Sequence, residues 1–124
     1  LQPDSADTYQ ALANVYNAAG RHDEAHEAIA KAIALREATL AAVKPKDRFD
    51  ALLALGDAYM VAEHYDQALA TYQQAEALAA DAPRLRQRLG HAYYWLQRYD
   101  ESLAAYQTWL ELAPDDADAH LRVG

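Results

Sequence analysis

Apolar side chains recur at i, i+3, i+4 and i+7 along the whole chain, and no stretch sustains the period-two alternation of a half-buried strand. This spacing predicts an all-α protein with helices over residues 6–19, 22–43, 48–62, 65–79, 83–96, 99–112 and 117–124, about seven in all. The punctuation fits. Gly20 suits the left-handed residue that ends a helix, and Pro83 suits a first helical turn, where a missing N–H costs nothing. Pro45 and the charges around it close the long second helix. Alternate helices open with acids, Asp23 and Glu24, Asp66, or Asp100 and Glu101. Each acid lies against the positive helix end, a contribution of roughly 0.3–1 kcal/mol.

Within these helices one spaced pattern returns three times: Tyr9-x-x-Leu12-Ala13-x-x-Tyr16, Leu52-x-x-Leu55-Gly56-x-x-Tyr59 and Arg86-x-x-Leu89-Gly90-x-x-Tyr93. Each continues with a small residue (Ala25, Ala68 or Ser102) and then with Ile29, Tyr72 or Tyr106. Small and large residues repeating at helical period describe stacked helix pairs, none able to bury its apolar face alone. Gly56 and Gly90 would otherwise cost about 1 kcal/mol each in a helix interior. They are expected where the two helices of a pair cross closely, with Ala13 as the first pair's equivalent and Ala25, Ala68 and Ser102 as the facing small surface.

The pattern resembles the tetratricopeptide repeat, a helix-turn-helix unit of 34 residues. Repeats opening at Ala6, Phe49 and Pro83 are spaced by 43 and 34 residues (6 to 49, 49 to 83), so the first carries nine extra, placed in its long second helix with Leu35, Leu40 and Val43. The resemblance implies a right-handed superhelical stack of antiparallel helix pairs, an α-solenoid, over residues 1–124 as a single domain. Its repeats span about 6–48, 49–82 and 83–116, with a partial repeat at 117–124. Pro3 and Pro114 fall at closing-proline positions, His120, Val123 and Gly124 continue the pattern, and Leu1 is no initiator methionine. The expectation is a piece of a longer array. Trp109 departs from the family pattern, standing where Ala32 and Ala75 stand in the other repeats, and bears on how a fourth helix pair would pack on the third.

Composition narrows the partners. A net charge of −8 argues against nucleic acid and anionic membrane surfaces. No apolar run reaches the roughly 18 residues of a membrane span. The absence of cysteine excludes disulfide and thiol chemistry without choosing a compartment. His22 and His26 stand four apart on a helix, but Glu24 lies midway rather than beside His22, so the zinc-helix pattern is not met. His22 also takes the packing position of Tyr65 and Tyr99, and reads as a partly buried structural residue. Asp115, Asp116 and Asp118 lack the central Gly and distant Glu of a calcium loop, and read as a turn before a helix. The two serines read as a helix cap (Ser5) and a buried packing residue (Ser102). Four dispersed glycines form no phosphate-cradling loop. Tyr16, Tyr59, Tyr65, Tyr72, Tyr93, Tyr99 and Tyr106 read as core. No catalytic residue, cofactor or metal is expected.

In proteins of this family the first helices line a concave groove that holds a peptide or a partner's helix, through repeat positions 2, 5, 6, 9, 12 and 13. Transferred to this chain, those positions contribute Asp7, Gln10, Asn14 and Asn17 from the first repeat, then Asp50, Leu53, Ala54, Asp57 and Met60 from the second. The third repeat supplies Arg84, Gln87, Arg88, His91, Tyr94 and Trp95, and Arg122 follows. Arg84 and Arg88 share one helix face, as in the family's chaperone-binding members, whose basic pair grips a peptide's terminal carboxylate. Asn14 also fits that clamp, whereas Gln10 replaces its Lys and Ala54 its Asn. The broader expectation is a scaffold that binds a protein or peptide segment, with carboxylate or acidic residues near the third repeat. In the plainer alternative the arginines form a solvated face that pairs with Asp50 or Asp57. Two other readings are a regulatory or targeting arm of a larger enzyme and a module that self-associates through exposed repeat ends.

Overall fold

A computed structural model describes residues 5–113, all helix and turn. The helices are α1 (Ala6–Ala18), α2 (His22–Ala42), α3 (Arg48–Val61), α4 (Tyr65–Glu76), α5 (Pro83–Trp95) and α6 (Tyr99–Leu112), with a single 3-10 turn at Pro45–Asp47 before α3. Each helix packs on the next in sequence, and α3 also touches α1 and α5. The architecture is the stack of helix pairs that the periodicity predicts and the α-solenoid that the resemblance implies. The seventh predicted helix, 117–124, lies outside the described residues, as does Arg122. Five of the six described helices stop one to three residues short of expectation. The largest difference is α4, which ends at Glu76, just before the run Ala77–Ala80, where no Gly or Pro signals a stop. The chain needs that run to turn back: the N–H groups of Leu78 and Ala79 donate to the Ala75 carbonyl at 2.9 and 3.1 Å, and Ala82 is extended before Pro83, as the proline ring demands.

The three corners within the repeats are one structure written three times. At Gly20, Glu63 and Gln97 the backbone turns left-handed, with φ of 79°, 62° and 63°. The next N–H, on Arg21, His64 or Arg98, donates to the carbonyl of Tyr16, Tyr59 or Tyr93 at 2.8, 2.9 and 2.9 Å. The left-handed residue donates to Asn17, Met60 or Tyr94 at 3.1, 3.0 and 3.0 Å. These paired bonds satisfy carbonyls that a helix end leaves open. At two corners the side chain also covers the tyrosine beneath it: Arg21 lies 5.2 Å from the centre of Tyr16, and Arg98 5.0 Å from that of Tyr93. Arg21 and Arg98 each hold the glutamate three residues on, Glu24 and Glu101.

The core follows the small-large code. Ala13, Ala25, Gly56, Ala68, Gly90 and Ser102 are all buried, and the Ser102 hydroxyl donates to the Gly90 carbonyl at 2.8 Å. The glycines are needed for closeness to a ring: a Cβ on Gly56 would sit 2.3 Å from Tyr72, and one on Gly90 2.6 Å from Tyr106. In the first repeat the same two places hold Ala13 and the slimmer Ile29, both buried. Trp109 is buried beside Tyr106 with ring centres 5.9 Å apart, filling the position that alanine takes elsewhere.

Two expectations about packing are corrected. His22 is exposed, its Nδ1 lying 3.2 Å from the Asn17 side-chain oxygen at the first corner. Tyr99 is 57% exposed rather than core. Tyr65, its equivalent, owes its cover to Trp95 stacked on it from the next repeat, whereas Tyr99 meets the edge of Tyr94.

Candidate functional site

The first helices of the three repeats, α1, α3 and α5, bring most of the expected groove residues onto one continuous surface. A cleft of about 430 Å³ is lined by Gln10, Asp57, Met60, Val61, Tyr72, Gln87, Arg88 and His91. It adjoins one of about 360 Å³ lined by Asp7, Gln10, Ala11, Asn14, Arg36, Ala54 and Asp57. On the other side His91 leads into a hollow of about 350 Å³ with Tyr94, Trp95 and Tyr106. Gln10, Asp57 and His91 thus join three hollows into one groove.

Leu53 does not belong to that surface. It is 3% exposed and packs in the core with Leu52, Leu69 and Leu85, because α3 is flanked by helices on both sides. Its repeat equivalents, Gln10 and Gln87, are polar and do line the groove. Asn17 turns away to the first corner, beside His22.

The groove's charges are matched within the chain. Arg84 donates to Asp50 at 2.7 Å and lies over the Phe49 ring, 5.6 Å from its centre. Arg36, from the long α2, reaches Asp7. Arg88 grips Asp57 with two bonds, Nε to Oδ1 at 3.2 Å and Nη2 to Oδ2 at 3.1 Å. Burial works against the Arg88 charge, but the bonds and charge of Asp57 outweigh it and hold its pKa above the ordinary arginine value. Asp57 also accepts the Tyr72 hydroxyl at 2.5 Å. Burial, and then the Asp57 charge, push that hydroxyl far above the usual tyrosine range. The plainer alternative is therefore the arrangement present: Arg84 and Arg88 pair with Asp50 and Asp57. Arg86 faces elsewhere, pairing with Glu76 at 2.9 Å and donating to the Ala80 carbonyl.

Three contributors, Arg36, Tyr72 and Tyr106, escape a reading of the sequence as groove residues because they come from second helices. The added length of α2 carries Arg36 to the groove, and that insertion is the available signal. Tyr72 reads as core, which its ring is, while its hydroxyl reaches Asp57. At the far end Tyr65, Tyr94, Trp95 and Tyr99 assemble an aromatic shelf. Trp95 stacks on Tyr65 at 5.6 Å and 16°, and meets Tyr94 edge-on at 5.7 Å and 90°. Tyr94 and Trp95 are half exposed.

A separate cleft of about 440 Å³ lies between α2 and the α3–α4 corner, lined in part by His26, Ile33, Glu37, Tyr59 and His64. It opens where the first repeat has His26 in place of the buried Leu69 of the second. Among the described residues no group of three or more potential ligands is placed to hold a metal ion. No described helix is long and apolar enough to cross a membrane.

Two profiles of the tetratricopeptide repeat match the chain, over residues 5–42 and 60–122. No curated protein matches it in sequence. Among solved structures, a thermophilic tetratricopeptide-repeat protein of Thermus thermophilus is 28% identical with a TM-score of 0.66, the match covering 95% of this chain and 58% of that one. The first such domain of Spaghetti (RPAP3), solved with the HSP90 peptide SRMEEVD, is 21% identical with a TM-score of 0.60, over 99% of this chain and 90% of that one. MamA is 21% identical with a TM-score of 0.60, over 98% and 66%.

Proposed function

The chain belongs to the tetratricopeptide repeat family, and we propose that it is a protein-interaction scaffold that seats an extended partner segment in the groove lined by α1, α3 and α5. The observation that carries this reading is the continuity of the three hollows through Gln10, Asp57 and His91. An extended segment brings unpaired main-chain N–H and C=O groups, which must be met when they leave water. The carboxamides of Gln10, Asn14 and Gln87 each offer both a donor and an acceptor. The Gln10 Oε1 is shielded from water with no partner among the described residues, so an incoming N–H would relieve it. The peptide held by the similar Spaghetti domain gives the reading a precedent of the same fold. An acidic or carboxylate-bearing segment would have to exchange with Asp50 and Asp57 for Arg84 and Arg88, so its affinity would be reduced by the pairs it breaks.

The test compares partner affinity for the protein and for its Gln87→Ala and Trp95→Ala variants, with helicity followed by circular dichroism. Both substitutions should weaken binding while helicity stays; equal affinity in all three removes the groove reading.

A second reading, self-association, is favoured by α1. Its Leu12 and Val15 are 41% and 63% exposed, whereas their repeat equivalents Leu55, Leu89, Ala58 and Ala92 are buried under the preceding helix pair. Light scattering over a concentration series, with Val15→Glu as control, tests it; a monomer throughout counts against it.

A further inference from the structure

We propose that the shelf of Tyr65, Tyr94, Trp95 and Tyr99 seats a cationic side chain, the guanidinium or ammonium group of an arginine or lysine in the partner segment. This rests on the groove reading and gives that partner its chemistry.

Three observations lead there. First, each of the groove's arginines already holds a carboxylate: Arg36, Arg84 and Arg88 have Asp7, Asp50 and Asp57, so an acidic ligand must compete at each, although the Arg36 Nε keeps an N–H unmet among the described residues. Second, the chain covers four of its other aromatic rings with its own cations. Arg21, Lys31, Arg84 and Arg98 lie 5.0–5.6 Å from the ring centres of Tyr16, Tyr9, Phe49 and Tyr93. Over Trp95 and Tyr94 no lysine or arginine lies among the described residues; the His91 ring tilts against Trp95 at 6.4 Å, and both residues keep about half their surface open. Third, the surroundings carry the complementary charge. Glu63 and Asp66 flank Tyr65 in the sequence, and Asp100 follows Tyr99, while Glu101 is paired with Arg98; Glu63 is near enough for its charge, after burial, to raise the Tyr65 hydroxyl. An indole face with a perpendicular tyrosine beside it, on an acidic chain, attracts a cation through both ring quadrupole and net charge.

The test is selection of short random peptides on the immobilised protein, followed by resynthesis of the best binder with citrulline for arginine or norleucine for lysine. The expected outcome is enrichment of arginine or lysine, and quenching of emission from exposed Trp95 while buried Trp109 is unaffected. Loss of the charge should weaken binding about 3- to 30-fold, and Trp95→Ala should weaken it similarly. Equal affinity of the charged and uncharged peptides, or enrichment of acidic sequences, overturns the proposal. Peptides that lose affinity with Gln87→Ala but not with Trp95→Ala leave the groove reading standing and overturn this one. Absence of any enrichment, or peptides indifferent to both substitutions, overturns both.

Discussion

Asp57 on α3 and Arg88 on α5 are joined across two repeats by paired bonds of 3.2 and 3.1 Å, and the Tyr72 hydroxyl closes on the same carboxylate from α4. Three helices thus meet at one charge that is about two-thirds buried. Removing the carboxylate leaves a partly buried guanidinium and a buried hydroxyl without their acceptor. Asp57→Ala is expected to lower stability by about 1–3 kcal/mol, measured by urea unfolding. A double-mutant cycle with Arg88→Ala should return a favourable coupling; a cycle that closes to zero would show the pair to be ornamental.

The same hydroxyl sets an alkaline limit. The Tyr72 pKa is raised in the folded protein, so the folded state keeps a proton that the unfolded chain releases near its ordinary value of 10.0. The contribution is fully present below about pH 10 and is lost as pH climbs above it. Stability should therefore fall with pH in that window. Tyr72→Phe should flatten the fall, leaving a residual slope from Tyr59 and Tyr65, which are raised chiefly by burial. Unfolding midpoints measured from about pH 8 to about pH 11, either side of the ordinary tyrosine value, would decide it.

Replacing a helical glycine by alanine ordinarily stabilises by about 1 kcal/mol. Here the sign should reverse. The Cβ of Gly56→Ala would enter the buried Tyr72 ring, and overpacking of this kind costs about 1–3 kcal/mol. The first repeat already holds the remedy in Ala13 and Ile29, so Gly56→Ala combined with Tyr72→Ile should recover part of the loss. Thermal unfolding of the single and double variants checks both statements.

The three corners predict opposite responses to similar changes. Glu63 and Gln97 hold left-handed backbone that only glycine adopts without strain, whereas Gly20 holds it freely. Gln97→Gly should stabilise by about 0.5–1 kcal/mol, with the relieved strain partly offset by glycine's greater freedom when unfolded. Gly20→Ala should destabilise by a similar amount. Equal melting temperatures across the pair would show the corners to be relaxed already.

Much of this was legible from residue types alone. The spacing of Ala13, Gly56 and Gly90 marked the tight crossings, and Gly20 and Pro83 announced a corner and a helix start. Glu63 and Gln97 gave no such notice, because nothing in either side chain signals left-handed backbone; the corner recurs through its equivalence to Gly20. The α4 end was hidden in a run of good helix formers. At the groove, position alone put Leu53 beside Gln10 and Gln87, yet a leucine between flanking helices sinks inward where glutamine stays at the surface. The arginines were visible as a cluster, with pairing to Asp50 or Asp57 as the plainer alternative; which alternative holds depends on how far neighbouring repeats are offset, and the pairs are present. Tyr99 and His22 occupy a packing position by count and remain exposed because, among the described residues, no ring stacks on them as Trp95 stacks on Tyr65.

Because each described helix rests chiefly on the one before and after it, among the described residues no strand must wait for a distant mate and no long loop must close. Such a chain can assemble rapidly, pair by pair, while it is still being synthesised. Drawn by its two ends, it should yield in steps one helix pair long, peeling from a terminus inward rather than bursting at once.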